Sequence, residues 1–339
     1  MTAETITNPS ESAASQHAGI GTLLTGAAFA PLSALGFIRV TGDDRVRWLN
    51  GMATNSIQAL KPGEGCYNFF LNAQGRIQAD ATAWMLGDSI LLEAHRDRIP
   101  PLIAHLDHFI IMDDVELTDL SGQGEGLAII GPHATEILAN LGASAEPNSQ
   151  ELLRLTHTTA AAQPVDLIRA HGALVPRFEL WSSPAAIASI VASLEKAGIP
   201  AVTSEALNQL RILEGTPLYG TDIRDKELPQ ETAQTRALHF AKGCYLGQEI
   251  VERIRSRGNV HRTFTGFTLT GAIPAPGTPI FAESPDKPVG EITSAAEVPL
   301  PKGPIQLALG YLRREVLDRG IQLTYEGGTA IPTALPHKP

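Results

Sequence analysis

Cysteine is scarce in this sequence: 339 residues hold only Cys66 and Cys244. Two are too few for a disulfide-stapled secreted scaffold, so both are expected to be free thiols in a reducing, cytoplasmic setting. Two distant cysteines are also too few to hold an iron-sulfur cluster, which ordinarily takes four thiolates. Long apolar runs are missing, and with them any segment able to span a bilayer. Cationic side chains are in the minority, 26 Lys and Arg against 36 Asp and Glu, for a formal net charge of -10. Anionic membranes and nucleic acid repel an acidic molecule as a whole, so neither is an expected partner. The histidines follow no metal-ligand spacing, no nucleophile elbow occurs, and no long internal repeat stands out. Met1 to Gly19 lacks the basic start and apolar stretch of a secretion signal and reads as a flexible tail.

What is present belongs to a globular protein: 43% hydrophobic and 18% charged residues. The length exceeds one ordinary hydrophobic core, so two or three subdomains are expected. Phe37 to Gly42 alternates as a strand, and Asp43-Asp44 stands where it would cap a helix running through Asn50. Tyr67–Asn72, Ile77–Leu86 and Ser89–Glu93 read as a meander, and His95–Phe109 as a helix. Strands at Val115–Leu120 and Leu127–Ile130 precede a helix at His133–Leu141. Beyond a polar connector near Pro147, strands at Val165–Arg169 and Arg177–Trp181 lead to a helix at Pro184–Ala197. From Thr263 the helical period vanishes, and short apolar runs between Gly and Pro predict a small antiparallel barrel. The fold class is therefore α+β. A flexible segment over 1–29 is followed by a body over 30–260 with subdomains over about 30–140 and 141–260 and by a β-barrel over 261–335, the apolar stretch Ile20–Leu35, broken by Gly and Pro, reading as a packed helix-and-turn entry to the fold.

The densest cluster of unusual residues is Lys242-Gly243-Cys244-Tyr245-Leu246-Gly247-Gln248-Glu249, leading into a helix on which Ile250, Val251 and Ile254 share a face. Glu249 stands four before Arg253, a favourable ion-pair order, and Gly258 is a plausible stop. A cysteine just before a helix N-terminus, with Lys242 beside it, is placed for a stabilised thiolate. The other reading is a small buried hydrophobe in a helix-entry turn. Gly243 and Gly247 leave room for the chain to bend and a ligand to approach. Arg253, Arg255, Arg257 and Arg262, with His261, form a basic run, either a solvated helix face or a patch for an anion, an acidic partner or RNA.

The motif Lys-Gly-Cys-Tyr-x-Gly-Gln-Glu resembles the signature of the YgfZ family, relatives of the glycine-cleavage T-protein and of mitochondrial iron-sulfur assembly factors. The resemblance extends through Val40–Asp44, Trp48–Asn55, Arg211–Gly215, Pro217–Ile223, Pro229–Glu231, Gly290–Ser294 and Ala308–Glu315. It implies a T-protein-like body around a central pocket for tetrahydrofolate or a derivative, in a protein expected to be monomeric. It further implies a role in the assembly or repair of iron-sulfur proteins through Cys244, with client or assembly proteins as partners. One-carbon (aminomethyl) transfer and a part in tRNA modification are the alternatives it leaves open. Asp80 falls where T-proteins carry a pair of acidic residues, the first of which is Ala79 here; it is either a folate contact or a solvent-facing strand residue. Arg211 matches a T-protein arginine near the ligand, or else makes an ordinary helix-surface ion pair, and Tyr219 and Asp222 belong to the same stretch leading to the motif. Over Gly172–Leu180 the T-protein segment Tyr-Thr-Gly-Glu is absent, and with it the Glu that reads the pterin. Folate binding without aminomethyltransferase turnover is the expectation that follows.

Overall fold

The computed structural model describes residues 18–143, 153–258, 260–282, 287–319 and 321–338. The chain opens with α1 (Ile20–Thr25), β1 (Ala28–Pro31), β2 (Leu35–Thr41) and α2 (Arg45–Met52). A meander of β3 (Glu64–Leu71), β4 (Ile77–Met85) and β5 (Ile90–His95) follows, then α3 (Ile99–Asp107), β6 (Glu116–Asp119), β7 (Glu125–Ile130) and α4 (Ala134–Asn140). The next group is β8 (Leu153–Ala160), β9 (Gln163–Ala170), β10 (Arg177–Ser182), α5 (Pro184–Lys196), α6 (Ser204–Glu214) and α7 (Gln248–Arg257). The last is β11 (Arg262–Gly271), β12 (Thr278–Ile280), β13 (Gly290–Leu300), β14 (Gly303–Arg313), α8 (Arg314–Leu317), β15 (Leu323–Tyr325) and β16 (Gly328–Thr333).

The first ten strands form one sheet in the order β1-β7-β10-β9-β8-β3-β4-β5-β2-β6. Its two halves are joined in the ladder where Glu64 and Gly65 of β3 pair with Arg154 and Leu153 of β8, a short junction about which the sheet folds. Each half buries one face under its own helices. Ile38, Ala81 and Leu92 pack with Leu49 and Leu102 of α2 and α3; Leu127, Phe178 and Leu180 pack with Leu138, Ile187 and Ile190 of α4 and α5. Alternation on the strands sends the remaining side chains, among them Trp84, Ile130 and Trp181, into a shared core with Leu23, Leu210, Phe264 and Tyr311. Helix α6 is wedged between this body and the barrel, its Gln209 Nε2 donating to Glu297 O of β13 at 2.9 Å.

The last six strands run β12-β13-β14-β11-β16-β15. Phe281, just past β12, bridges to Thr324 of β15 and nearly closes this sheet into a barrel. Among the described residues no helix is long and apolar enough to cross a membrane.

Three sequence expectations are corrected here. The flexible segment expected over 1–29 is packed from residue 18: Ala18 N donates to Ala201 O at 2.7 Å, and Ile20, Leu23 and Ala28 are buried, in keeping with the packed helix-and-turn entry read over Ile20–Leu35. Residues 1–17 lie outside the described residues. Asp44 occupies the N-cap position of α2 without capping it, because its carboxylate accepts from Asp114 N (3.0 Å) and Arg47 (2.9 Å) instead. Strand β8 was not foreseen, and helix α6 was foreseen only as the helix surface on which Arg211 could make an ion pair. The first alternates Leu with exposed polar residues over a short span, and the second has Thr203 and Gly215 as its only boundary signals, the cap accepting from Ala206 N at 3.1 Å.

Candidate functional site

The inward face of the meander places Tyr67, Asp80 and Glu93 on three adjacent strands. Tyr67 Oη donates to Asp80 Oδ2 at 2.6 Å. The guanidinium of Arg236 stacks 4.1 Å from the centre of the Tyr67 ring, and the backbone beneath it is pinned by Asn55, whose Nδ2 donates to Tyr67 O and Arg236 O. Burial pushes the Asp80 carboxyl above the ordinary carboxylate range, against the opposing pull of the Tyr67 hydroxyl and Arg236. Asp80 is therefore an inward, half-buried group rather than a solvent-facing strand residue.

Tyr67 and Arg236 form one wall of a cavity of about 700 Å³, whose opposite wall is the loop from Ala170 to Arg177 between β9 and β10. This loop is the segment at which the sequence departs from the T-protein pattern. It brings Arg169, His171 and Arg177 to the cavity, and Cys66 lines it as well. Burial, then Arg236 and Arg177, pull the His171 imidazole down to about 4, so it is neutral at physiological pH. Burial pushes the Cys66 thiol up to about 11, which makes this cysteine a poor nucleophile.

A second acidic group escaped the sequence reading. Glu179, on β10, is buried; its Oε1 accepts from Arg177 Nε at 3.2 Å and its Oε2 from Trp181 Nε1 at 3.2 Å. Glu93 faces it from the other half of the sheet and accepts from Trp84 Nε1 at 2.9 Å. Burial, reinforced by Glu179, pushes the Glu93 carboxyl well above its usual range. The signal in the sequence was the spacing of Arg177, Glu179 and Trp181, one face of a strand whose opposite face carries Phe178 and Leu180.

The cysteine motif divides between two surroundings. Cys244 is exposed, on the turn that precedes α7, so the buried-hydrophobe reading does not apply. The rest of the motif is anchored: Leu246 N donates to Gly51 O at 2.9 Å, Tyr245 N donates to Gln248 Oε1 at 3.1 Å, and the Tyr245 ring is buried. Gly247 has φ 79° at the helix N-cap, and a Cβ there would lie 2.6 Å from Asn72 O. Gly243 has open space beside it and Glu249 is exposed. Lys242 does not serve Cys244 as the sequence suggested. Its Nζ donates to Asn50 O and Ala53 O, both at 2.5 Å, and sits 4.8 Å from the centre of the Tyr245 ring. Burial pulls Lys242 down to about 8, and its titratable neighbour is Cys66, not Cys244.

Arg211 and Asp222 are brought together, away from the cavity lining. Arg211 reaches Asp222 Oδ2 at 2.6 Å and Ser294 Oγ at 2.9 Å, while the fully buried Asp222 also accepts from Leu218 N, Thr293 and Ser294. The pair ties α6 to the barrel. Tyr219 Oη is shared between Gln78 O and Asp225 Oδ1, each at 2.6 Å, with Arg98 over its ring.

The basic run is not one patch. Arg262 is turned inward among Glu227, Glu231 and Glu291 at 3.2–3.4 Å, so its charge is already matched. Arg255 stacks on Phe240 and pairs with Glu252 at 3.5 Å, while among the described residues Glu249 and Arg253 make no ion pair. Arg253 is exposed, and the Arg257 side chain lies outside the described residues. Among the described residues no group of three or more His, Cys, Asp or Glu is arranged to hold a metal ion.

The family described as the GCVT N-terminal domain matches residues 11–242. A putative chloroplastic transferase of Arabidopsis thaliana is 28% identical over 296 residues, 86% of this chain and 67% of that protein. The aminomethyltransferase of Frankia alni is 28% identical over 298 residues, 86% of this chain and 78% of the relative. That of Thermus thermophilus is 27% identical over 319 residues, 90% of this chain and 84% of the relative. In three dimensions the chain resembles the glycine cleavage system aminomethyltransferase T of Bartonella henselae, with TM-score 0.81, 22% identity, and coverage of 94% of this chain and 88% of that one.

Proposed function

The chain belongs to the GCVT N-terminal domain family, and from that premise we propose that it is a folate-binding accessory protein for the assembly or repair of iron-sulfur proteins, of the YgfZ kind, acting through Cys244. The observation that carries this reading is the division of the motif. Its lysine, tyrosine and leucine are fixed against the body that holds the cavity, while its sulfur is presented to solvent. A sulfur held on a rigid turn at the surface is suited to meet another protein, as nucleophile or soft ligand. A sulfur meant for a small ligand in the cavity would face inward, as Cys66 does.

The cavity fits a folate in size and in donor set. About 700 Å³ lies within the usual range for a small-molecule site. Tyr67, the Arg236 guanidinium and the His171 imidazole bring planar groups to the cavity for a heterocycle, and Asp80, behind the lining, holds the Tyr67 hydroxyl. Tetrahydrofolate, when bound, would supply one-carbon acceptor chemistry; this chain's contribution is to bind and orient it.

Titration with tetrahydrofolate tests the cavity, and Asp80→Asn, which weakens the hold on the Tyr67 hydroxyl in its wall, should weaken binding by about tenfold, the worth of one hydrogen bond to a charged group. Expression of wild type and Cys244→Ser in cells lacking their own family member tests the thiol, read as activity of a radical-type iron-sulfur enzyme. Full complementation by a folded Cys244→Ser variant would end the thiol reading.

A folate-dependent aminomethyltransferase is the second reading, favoured by the names of the relatives and by the inward Asp80. Formation of methylene-tetrahydrofolate from an aminomethyl donor above background, abolished in Asp80→Asn, would establish it.

A further inference from the structure

Two adjacent side chains stand further out of the fold than any other large apolar groups among the described residues. Ile111 is 84% exposed and Met112 93%, whereas the remaining exposed large hydrophobics reach at most 52%. Single apolar residues on a surface are ordinary, but two in succession at the tip of a held loop mark a contact surface. This loop, between α3 and β6, is held on both sides of its tip. Phe109 O accepts from Trp48 Nε1 at 3.2 Å, Ile110 N donates to Asp107 O at 3.0 Å, and Asp113 pairs with Arg47. Phe109 and Ile110 pack on the same apolar cluster as Leu246 of the cysteine motif. The loop and the motif rest on one support, α2, an eight-residue helix about 12 Å long. Arg47 and Trp48 hold the loop, while Asn50 O, Gly51 O and Ala53 O, at the C-terminal end, receive Lys242 Nζ and Leu246 N. A second link runs through β3, where Leu71 O meets His105 Nε2 of α3 at 3.1 Å and Leu71 Cβ crowds Gly247. The exposed sulfur of Cys244 and the Ile111–Met112 tip are thus neighbours on the surface. Acidic groups edge the tip: Asp107, Asp114 and Glu116 are exposed and make no ion pair among the described residues, and Arg47 is already matched by Asp44 and Asp113. An apolar prong with an acidic rim is repelled by anionic membranes and by RNA, and pairing of two copies tip to tip would bring like charges together. Its complement is an apolar socket with lysine and arginine at the edge.

We propose that Ile111 and Met112 are the anchor by which a partner protein docks beside Cys244, and that this partner offers an apolar socket edged with lysine and arginine. The partner's identity, an iron-sulfur protein whose cluster is being built or repaired, rests on the Cys244 reading; the docking surface itself stands on the exposed tip and its rim. Methionine is unbranched and adapts to an irregular socket, and isoleucine beside it adds a stiff apolar wall. Once desolvated at the centre of an interface, such a pair holds the partner, while the acidic rim speeds and orients its approach.

Complementation of cells lacking their own family member, read as activity of a radical-type iron-sulfur enzyme at low and equal expression of the full chain, tests the two readings side by side. Ile111→Ser/Met112→Ser is expected to lower that activity at least about tenfold, the loss that follows removal of an interface anchor. Its melting temperature and the reaction of Cys244 with a thiol reagent should match wild type. Full complementation by this variant overturns the docking surface. If it fails while Cys244→Ser complements, the surface stands and the thiol reading ends; the opposite pattern keeps the thiol and ends the surface. Failure of both folded variants is the expected result. Asp107→Lys/Glu116→Lys, which leaves the tip intact, should also lower the activity, and wild-type activity in that variant would remove the basic edge from the partner. A photoreactive benzophenone amino acid in place of Met112 decides even if the double-serine variant does not fold. Illumination in the same cells should join the chain covalently to the iron-sulfur enzyme. No such adduct, or adducts only with a second copy of this chain, with RNA or with lipid, would overturn the proposal.

Discussion

Individual side chains in this protein do different work from what their neighbours in sequence suggest. Lys242 and Cys244 are two residues apart, yet the ammonium is tied to Asn50 O and Ala53 O while the sulfur is exposed. Lysine reaches far on a flexible stem, and a half-buried ammonium satisfies its donors on whatever carbonyls converge there. Glu93 and Glu179 are equally hidden from the sequence, because they are 86 positions apart and meet only when the two sheet halves fold together. Their contact yields a pH prediction. The folded-state pKa of Glu93 is raised above its unfolded value, so the folded protein holds a proton that the unfolded chain releases once pH rises past the ordinary carboxylate range. Stability from this group is present at acid pH and declines as pH rises toward the folded pKa. Glu93→Gln keeps the acceptor for Trp84 and an N-H for Glu179 but cannot ionise. Denaturant unfolding from pH 4.5 to 8 should show the variant gaining on wild type with rising pH; a pH-independent difference would contradict the carboxyl pair.

Among the elements, the entry to α7 is the most constrained. Ile250, Val251 and Ile254 were readable as one apolar face, and Gly258 does end the helix, with φ 87°. What spacing could not give is the tightness of the turn before it, where Gly247 abuts Asn72 O, Leu71 and Gly75. Both a left-handed backbone and a close backbone approach are required there, and only glycine meets the two together. Gly247→Ala should therefore cost about 1–3 kcal/mol in denaturant unfolding. It should also loosen the Cys244 turn, seen as faster proteolysis near residue 244; a fully stable variant with an unchanged cleavage pattern would refute this. Helix α6 teaches the converse. Its Arg211 was matched by resemblance to a ligand contact, whereas the structure commits that guanidinium to Asp222, Thr216, Asn208 and Ser294.

At the scale of the molecule, the barrel is locked to the body by two arginines and three glutamates. Arg224 and Arg262 together bridge Glu227, Glu231 and Glu291, and the Glu227 side chain is wholly buried. Removing a partner from such a cluster leaves buried negative charge under-compensated, so Arg262→Ala should cost about 3 kcal/mol. Hydrogen exchange should show β11 and β14 losing protection together; unchanged protection there would mean that apolar contacts alone hold the barrel. The sequence by itself determined the period of most strands and helices, the all-β character after Thr263, and the motif around Cys244, since these depend on residues close together along the chain. Local order of that kind is set by alternation, caps and turn residues. The tertiary structure alone decided that Arg169, Arg177 and Arg236 share a cavity, that Glu93 meets Glu179, and that Arg262 is spent inside the fold. These facts depend on how two half-sheets and a barrel close on one another, and burial then sets the charge, partner and exposure of each group that chain position leaves open.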